Sequence, residues 1–206
     1  MSTALPQAVL DAADVSAITQ LVLAERESRD LGRWARMGAC FWPDAQIRIS
    51  WFQGDAAGFV RGSIDMAARG VRAKHRLAPV GVRLNGDRAV AGFAAIIDIP
   101  ATVGAVEAVL SSHARFLYPA ERRGGEWRLM GFEAVYIRDE FTTPIPGQVL
   151  PISAEDVAAF RPSYRMLSFH LTSQGYAVDP DLPGDDRPDL ADAVYARLYD
   201  WAGLAP

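Results

Sequence analysis

"EAVLSSHARFLYPAERRGGEWRLMGFEAVYIRD", residues 107–139, reads as a long hairpin: strands over 107–119 and 127–139 joined by "AERRGGE" at 120–126. Along its first arm Ser111, His113 and Arg115 share one face, while Leu110, Ala114, Phe116 and Tyr118 share the other, because strand side chains alternate. A polar stripe of this kind either meets solvent or lines a polar cavity, and alternation leaves both open. Upstream, "HRLAPVGVRL" (75–84), "NGD" and "RAVAGFAAIIDI" (88–99) form a second hairpin, since Asn85–Gly86 readily takes the positive φ angles of a two-residue turn. Pro79 interrupts the first strand and marks an edge or a bulge.

Outside the hairpins the pattern is helical. Residues 14–27 carry Ile18, Leu21 and Val22 at helical spacing behind Asp14 as N-cap. A second helix runs from Leu31 to Phe41 and ends at Pro43. "AQIRISW" (45–51) alternates as a short strand, and residues 56–70 form a third helix closed by Gly70. After a Pro/Gly linker at 141–150, "SAED" (153–156) is a capping box that opens another helix. Further helical stretches follow at 163–173 and 189–201. The order predicts an α+β fold: N-terminal helices packed on one face of a strongly curved antiparallel sheet, as a domain over 1–148 with a helical extension over 149–206.

Composition narrows the function. The 206 residues are 50% hydrophobic with a net charge of −4 and no clustered basic run, so nucleic acid is not an expected partner. The single Cys40 excludes an intrachain disulfide, and its apolar helical surroundings (Trp34, Met37, Phe41) read as packing. No signal peptide and no apolar run of ~20 residues is visible, which predicts a soluble, cytoplasmic protein without a membrane partner. The sequence has no glycine-rich phosphate loop, dinucleotide fingerprint or G-x-S-x-G elbow, and its three histidines and one cysteine show no metal-ligand spacing. The expectation is acid–base chemistry by side chains alone, with no cofactor and no metal.

His75 is the leading candidate for that chemistry, because an imidazole with an ordinary pKa of about 6.5 exchanges protons near neutrality. A strand-end histidine bonded to backbone is the plain alternative. His170, in "MLSFHLTS", reads as a helix-surface or interface residue. Glu27 ends the first helix off the Ile18–Val22 stripe, and periodicity alone turns it to solvent.

Three stretches, "ERESRDLGRWARMGACFWPDAQIRISW" (25–51), "KHRLAPVGVRLNGDRAVAGF" (74–93) and "GGEWRLMGFEAVYIRDEFTTPIPG" (124–147), resemble the nuclear transport factor 2-like superfamily, in its SnoaL-like, scytalone dehydratase-type group. The resemblance covers about residues 12–148. It implies a cone-shaped, cystatin-like α+β fold with the sheet wrapped round a deep apolar pocket. The group's dehydratases pair a strand-start histidine with an acid near the end of the first helix. Those positions fall on His75 and Glu27, with Asp30 next in line, although the family's usual acid is aspartate. The resemblance also turns His113 and Arg115 into polar pocket residues that assist catalysis, and makes Trp51, Arg26, Phe93, Phe132 and Tyr118 substrate-binding residues. Two positions depart from the fungal dehydratase: its second histidine falls on Ala94, and a tyrosine before its acid falls on Arg26.

The resemblance thus implies a cofactor-independent lyase. His75, oriented by the acid, would take a proton from carbon (dehydration) or from hydroxyl (retro-aldol cleavage with release of formaldehyde). The substrate would be a small hydrophobic hydroxylated aromatic compound, such as a lignin-derived diaryl diol. An isomerase or cyclase with the same pocket, a non-catalytic ligand-binding protein, and the small subunit of a ring dioxygenase remain open alternatives. A homo-oligomer, trimer or dimer, is the expected assembly.

Overall fold

The computed structural model describes residues 5–205. Its first half is three helices around a short hairpin: α1 (Gln7–Leu31), α2 (Trp34–Ala39), β1 (Phe41–Ile49), β2 (Phe52–Asp55) and α3 (Ala56–Ala68). The long meander follows as β3 (Lys74–Leu77), β4 (Gly81–Asn85), β5 (Arg88–Val103), β6 (Val106–Arg123) and β7 (Glu126–Thr142). Single 3₁₀ turns at Glu155–Val157 and Pro162–Tyr164 lead into α4 (Arg165–Ser173) and α5 (Pro188–Ala202).

The sheet order is β2-β1-β7-β6-β5-β3, with β4 pairing the same edge of β5 beyond β3. Pro79 lies in the break between β3 and β4, where a residue without an N–H cannot extend the ladder. Gly86 takes φ +58° in the β4–β5 turn. The sheet is mixed rather than wholly antiparallel, because β1 joins β7 in parallel. Gly131 permits that junction: a Cβ there would sit 2.6 Å from the Gln46 carbonyl oxygen.

Several local expectations change. The first helix starts at Gln7, a full two turns early, so Asp14 lies mid-helix and accepts hydrogen bonds from Arg122 and Trp127 Nε1 instead of capping. The second helix stops at Ala39, and Pro43 lies inside β1. "SAED" closes only one 3₁₀ turn, with Ser153 Oγ bonded to Asp156. Among the described residues α1 is the one helix long and apolar enough to cross a membrane. Here its buried stripe, Ile18 to Arg29, packs against the sheet.

The two faces of the sheet carry separate cores. The inner face, under α1 and α3, buries Phe93, Phe116, Tyr118 and Phe132 with Ile18, Val22 and Phe59. The outer face is covered by α5, whose Ala191, Val194, Leu198 and Ala202 pack on Val90, Leu117 and Val135.

Candidate active site

α1 carries the site. The stripe that starts with Ile18 and Val22 continues by steps of three and four through Glu25, Arg26 and Arg29, so helical phase drives charged side chains into the inner core. Asp30 follows one turn after Arg26, at the last turn before Gly32 ends the helix in the left-handed conformation (φ +69°).

The strand β3 brings His75 against this helix end. Asp30 Oδ1 lies 2.6 Å from His75 Nδ1, and Asp30 Oδ2 accepts the His75 backbone N–H at 2.8 Å. One carboxylate thus fixes both the ring and the strand that carries it. With an ionised carboxylate as acceptor, Nδ1 carries the hydrogen, and the lone pair of Nε2 points away from Asp30. Both side chains are largely buried. Burial pushes the His75 imidazole below its ordinary value, against the opposing hydrogen bond to Asp30, so the ring is neutral at neutral pH. For Asp30, burial acts upward, but the hydrogen bonds and charge of His75 together with the nearby Arg26 charge outweigh it, and the carboxyl stays below the usual range.

With Nδ1 carrying the hydrogen, His75 Nε2 accepts a long contact from Arg26 Nη1 at 3.4 Å, which a substrate must displace before Nε2 can take a proton. Arg26 itself is gripped bidentately by Glu25, and Tyr118 donates its hydroxyl to Glu25 Oε2 at 3.1 Å. The Arg26 guanidinium also stacks 4.7 Å from the Phe132 ring centroid. Burial opposes the charge on Arg26, yet Glu25, with Tyr118 and Asp30, more than offsets it and the group titrates above its ordinary value.

These groups meet a partly open cavity of about 60 Å³. Arg26, Arg29 and His75 supply its polar wall, and Trp51, Phe116 and Phe132 are among its apolar lining. Leu167 and Leu171 of α4 close one side. That helix is pinned where the Leu167 N–H donates to Asp139 Oδ2 at 2.7 Å. A more open, polar groove between α1 and β3 reaches the same Arg26, Asp30 and His75 from outside.

Not every expected site residue is here. Glu27 is half-exposed on the groove rim and accepts a hydrogen bond from Arg36 at 2.8 Å, so the partner of His75 is Asp30. Glu27 is one residue past Arg26, and a 100° step turns it off the buried stripe. Arg115 and His113 lie on the outer face: Arg115 pairs with Asp185 at 2.6 Å, and His113 Nε2 is 3.7 Å from Glu140 Oε1. The polar stripe of β6 is therefore the side away from the cavity, because Ala114, Phe116 and Tyr118 fill the inner face. Ala94, opposite Arg115, shares that outer face. Trp51, Arg26 and Phe132 line the cavity; Phe93 and Tyr118 stand behind it, stacked on each other at 5.9 Å. Glu25 and Arg29 were missed, although extending the Ile18–Val22 stripe by two turns would have found both. Leu167 and Leu171 carry no local signal, since their role arises only when the chain returns to the cavity mouth.

Among the described residues no three His, Cys, Asp or Glu side chains group to hold a metal. The arrangement can withdraw a proton at Nε2 inside an apolar enclosure with guanidinium groups at hand.

Comparisons with known proteins agree with this fold. Residues 11–132 match the SnoaL-like domain family. Pea pathogenicity protein 2 of Fusarium vanettenii is 26% identical over 164 residues, which span 77% of this chain and 70% of that protein. Among solved structures, an NTF2-like protein with a cystatin-like fold from Novosphingobium aromaticivorans superimposes with a TM-score of 0.51 at 18% identity, over 62% of this chain and 85% of that one. A hexachlorocyclohexane dehydrochlorinase, LinA type 2, gives 0.53 at 16% identity, over 66% and 94%.

Proposed function

The chain belongs to the SnoaL-like family, and from that premise we propose that it is a cofactor-independent lyase acting through His75 and Asp30 on a small hydroxylated aromatic compound. The observation that carries this reading is the 2.6 Å contact between Asp30 Oδ1 and His75 Nδ1 at the edge of an aromatic-lined cavity. Asp30 holds the tautomer in which Nε2 is the acceptor, and burial keeps that nitrogen unprotonated near neutrality.

Nε2 takes a proton from the carbon next to the one that bears the hydroxyl. The C–H electrons become the new double bond, and the hydroxyl departs with its own pair, collecting a proton to leave as water. If Nε2 instead takes the proton of a terminal hydroxyl, the O–H pair becomes the carbonyl of departing formaldehyde, the pair of the broken C–C bond becomes the new double bond, and the hydroxyl on the neighbouring carbon leaves with its C–O pair, taking the proton from Nε2 to depart as water. Positioned acid–base groups of this kind contribute ~10²–10⁴-fold, and the Arg26 guanidinium beside Nε2 adds stabilisation of developing negative charge. The name of the dehydrochlorinase relative describes another elimination, which supports this class without fixing the leaving group.

The cavity is small against the ~300–1,000 Å³ of typical ligand sites. A two-ring diol would therefore enter only with displacement of Leu167 and Leu171, and a one-ring substrate needs less. The test is turnover of a panel of β-hydroxy aromatic compounds and diaryl diols, read as new conjugated absorbance and as trapped formaldehyde. The expected result is turnover that falls at least 100-fold in both His75→Ala and Asp30→Asn. Unchanged turnover in His75→Ala would overturn the reading. Binding of panel compounds that is equal in wild type and His75→Ala, with no product, would make this a ligand-binding protein.

A further inference from the structure

The same cavity holds a second cation with no anionic partner: its contacts are the Met66 sulfur and the face of Trp34, 5.9 Å from the ring centroid. Arg29 is 7% exposed and lines the wall shared with His75. A guanidinium presents five N–H donors in a rigid fork that matches a carboxylate. Among the described residues, the one acceptor within reach of that fork is the thioether sulfur of Met66, at 3.9 Å, and no carboxylate lies within 4.0 Å of it. The carboxylates nearest to it in sequence are already committed. Glu25 gives both oxygens to Arg26, and Asp30 gives one to the His75 ring and the other to its backbone. Neither can turn to Arg29 without releasing a buried partner, an exchange with no net gain.

Burial, and then the neighbouring Arg26, pull Arg29 down to about 10, which still leaves it cationic at neutral pH. A buried cation whose donors go unmatched is costly, and the folds that keep one generally use it. The rest of the wall is apolar: Ile97, Ile99 and Val71 with Trp51, Phe116 and Phe132. A ligand that satisfies both halves has an anionic end and an apolar body.

We infer that the ligand of this cavity is an organic carboxylate, and that Arg29 binds its carboxylate while the body lies against the aromatic wall. The inference deepens the lyase reading: the substrate becomes a hydroxylated aromatic acid, anchored at Arg29 with its reacting carbon turned to His75. Arg29 does not touch the reacting atoms in this scheme; it selects and positions.

The experiment is calorimetric titration of the full chain with benzoate and with benzamide, which share a ring and differ in charge. Wild type, Arg29→Met, Arg29→Lys and His75→Ala are compared. A charge-assisted, forked contact predicts that wild type binds benzoate about 10–100-fold tighter than benzamide. Arg29→Met should erase that preference, Arg29→Lys should keep part of it, and His75→Ala should keep it whole. A melting temperature of Arg29→Met at or above that of wild type is also expected, because a merely structural arginine would lower it on removal. Equal affinity of wild type for the two probes, no binding of either, or a preference that survives in Arg29→Met would each overturn the inference. If Arg29→Met does not fold, the wild-type preference and the Lys variant decide. Loss of turnover in His75→Ala with no benzoate preference would remove this inference alone. A benzoate preference with normal turnover in His75→Ala would remove the lyase reading alone.

Discussion

The two faces of the sheet are built by opposite rules. On the outer face α5 lays Ala191, Val194, Leu198 and Ala202 on Val90, Leu117 and Val135, an aliphatic layer whose charged pairs, such as Arg197–Glu133 at 2.6 Å, keep a partly exposed arginine at the rim. On the inner face α1 buries Glu25, Arg26 and Arg29 among aromatic rings, with Asp30 partly exposed at their edge. Aliphatic burial stabilises in proportion to its area, whereas a buried ion pair at best offsets the cost of removing its charges from water. The inner face, with by far the larger apolar core, supplies most of the burial that holds the fold together. It spends part of that stability on a charged site, the pattern expected where chemistry or recognition is located.

The largest expected effect comes from breaking the inner pair on one side. Glu25→Gln leaves the Arg26 guanidinium buried without its counter-charge and should cost ~3–5 kcal/mol, measured by urea unfolding. The double variant Glu25→Met/Arg26→Met should recover most of that loss while turnover stays abolished, because it removes both charges together. A cost for Glu25→Gln below that of an aliphatic truncation on the outer face would erase the contrast between the faces.

Much of this was legible in the chain. The two hairpins and the Asn85–Gly86 turn follow from alternation and turn chemistry, as does a titratable histidine at the start of β3, whereas the 120–126 connection shortens to a Gly124–Gly125 turn because the strands extend through Arg123 and from Glu126. Which face of β6 lines the cavity was not legible, because Ser111–His113–Arg115 alternates equally well with either side inward. Arg115 and His113 were misplaced for that reason. The partner of His75 was misplaced by three residues for another: a helix end is where phase decides direction, and Glu27 and Asp30 differ by most of a turn. Phase had pointed Glu27 outward, and that reading was the sound one. The parallel pairing of β1 with β7 depends on Gly131, whose lack of a side chain leaves no mark in a hydropathy pattern.

The outer face supplies the second comparison. Leu198 is 3% exposed in the aliphatic layer, and Leu198→Ala should cost ~2–4 kcal/mol by loss of buried area and the cavity left behind. Turnover of the folded variant should be unchanged, since no outer-face side chain reaches the cavity. The result sharpens the contrast if stability falls while kcat/KM does not. A fall in both would show that α5 transmits to the site, and the two faces would no longer be independent.

The smallest effect is a pH dependence, and it too separates the regions. His75 and His170 are both held below their ordinary value, His75 by burial against the pull of Asp30 and His170 by burial alone. An unfolded chain binds a proton at each near pH 6.5, whereas the folded chain resists doing so. Their stabilising contributions are therefore complete above about pH 6.5 and decline as pH falls through the depressed folded values. The Asp30 carboxyl, also depressed, acts in the same direction but in a lower window, below its ordinary 3.8. Urea unfolding between pH 7.5 and 4.5 should show stability falling toward acid. His170→Asn, distant from Asp30, should remove part of that slope and leave the pH profile of turnover in place. The activity profile should rise with pH through a value below 6.5, because only neutral His75 can accept the proton. A stability slope of the opposite sign would mean that Asp30 holds His75 protonated. The ring would then be an acid at the start of the cycle, and the elimination would have to begin with the leaving group rather than with the C–H bond.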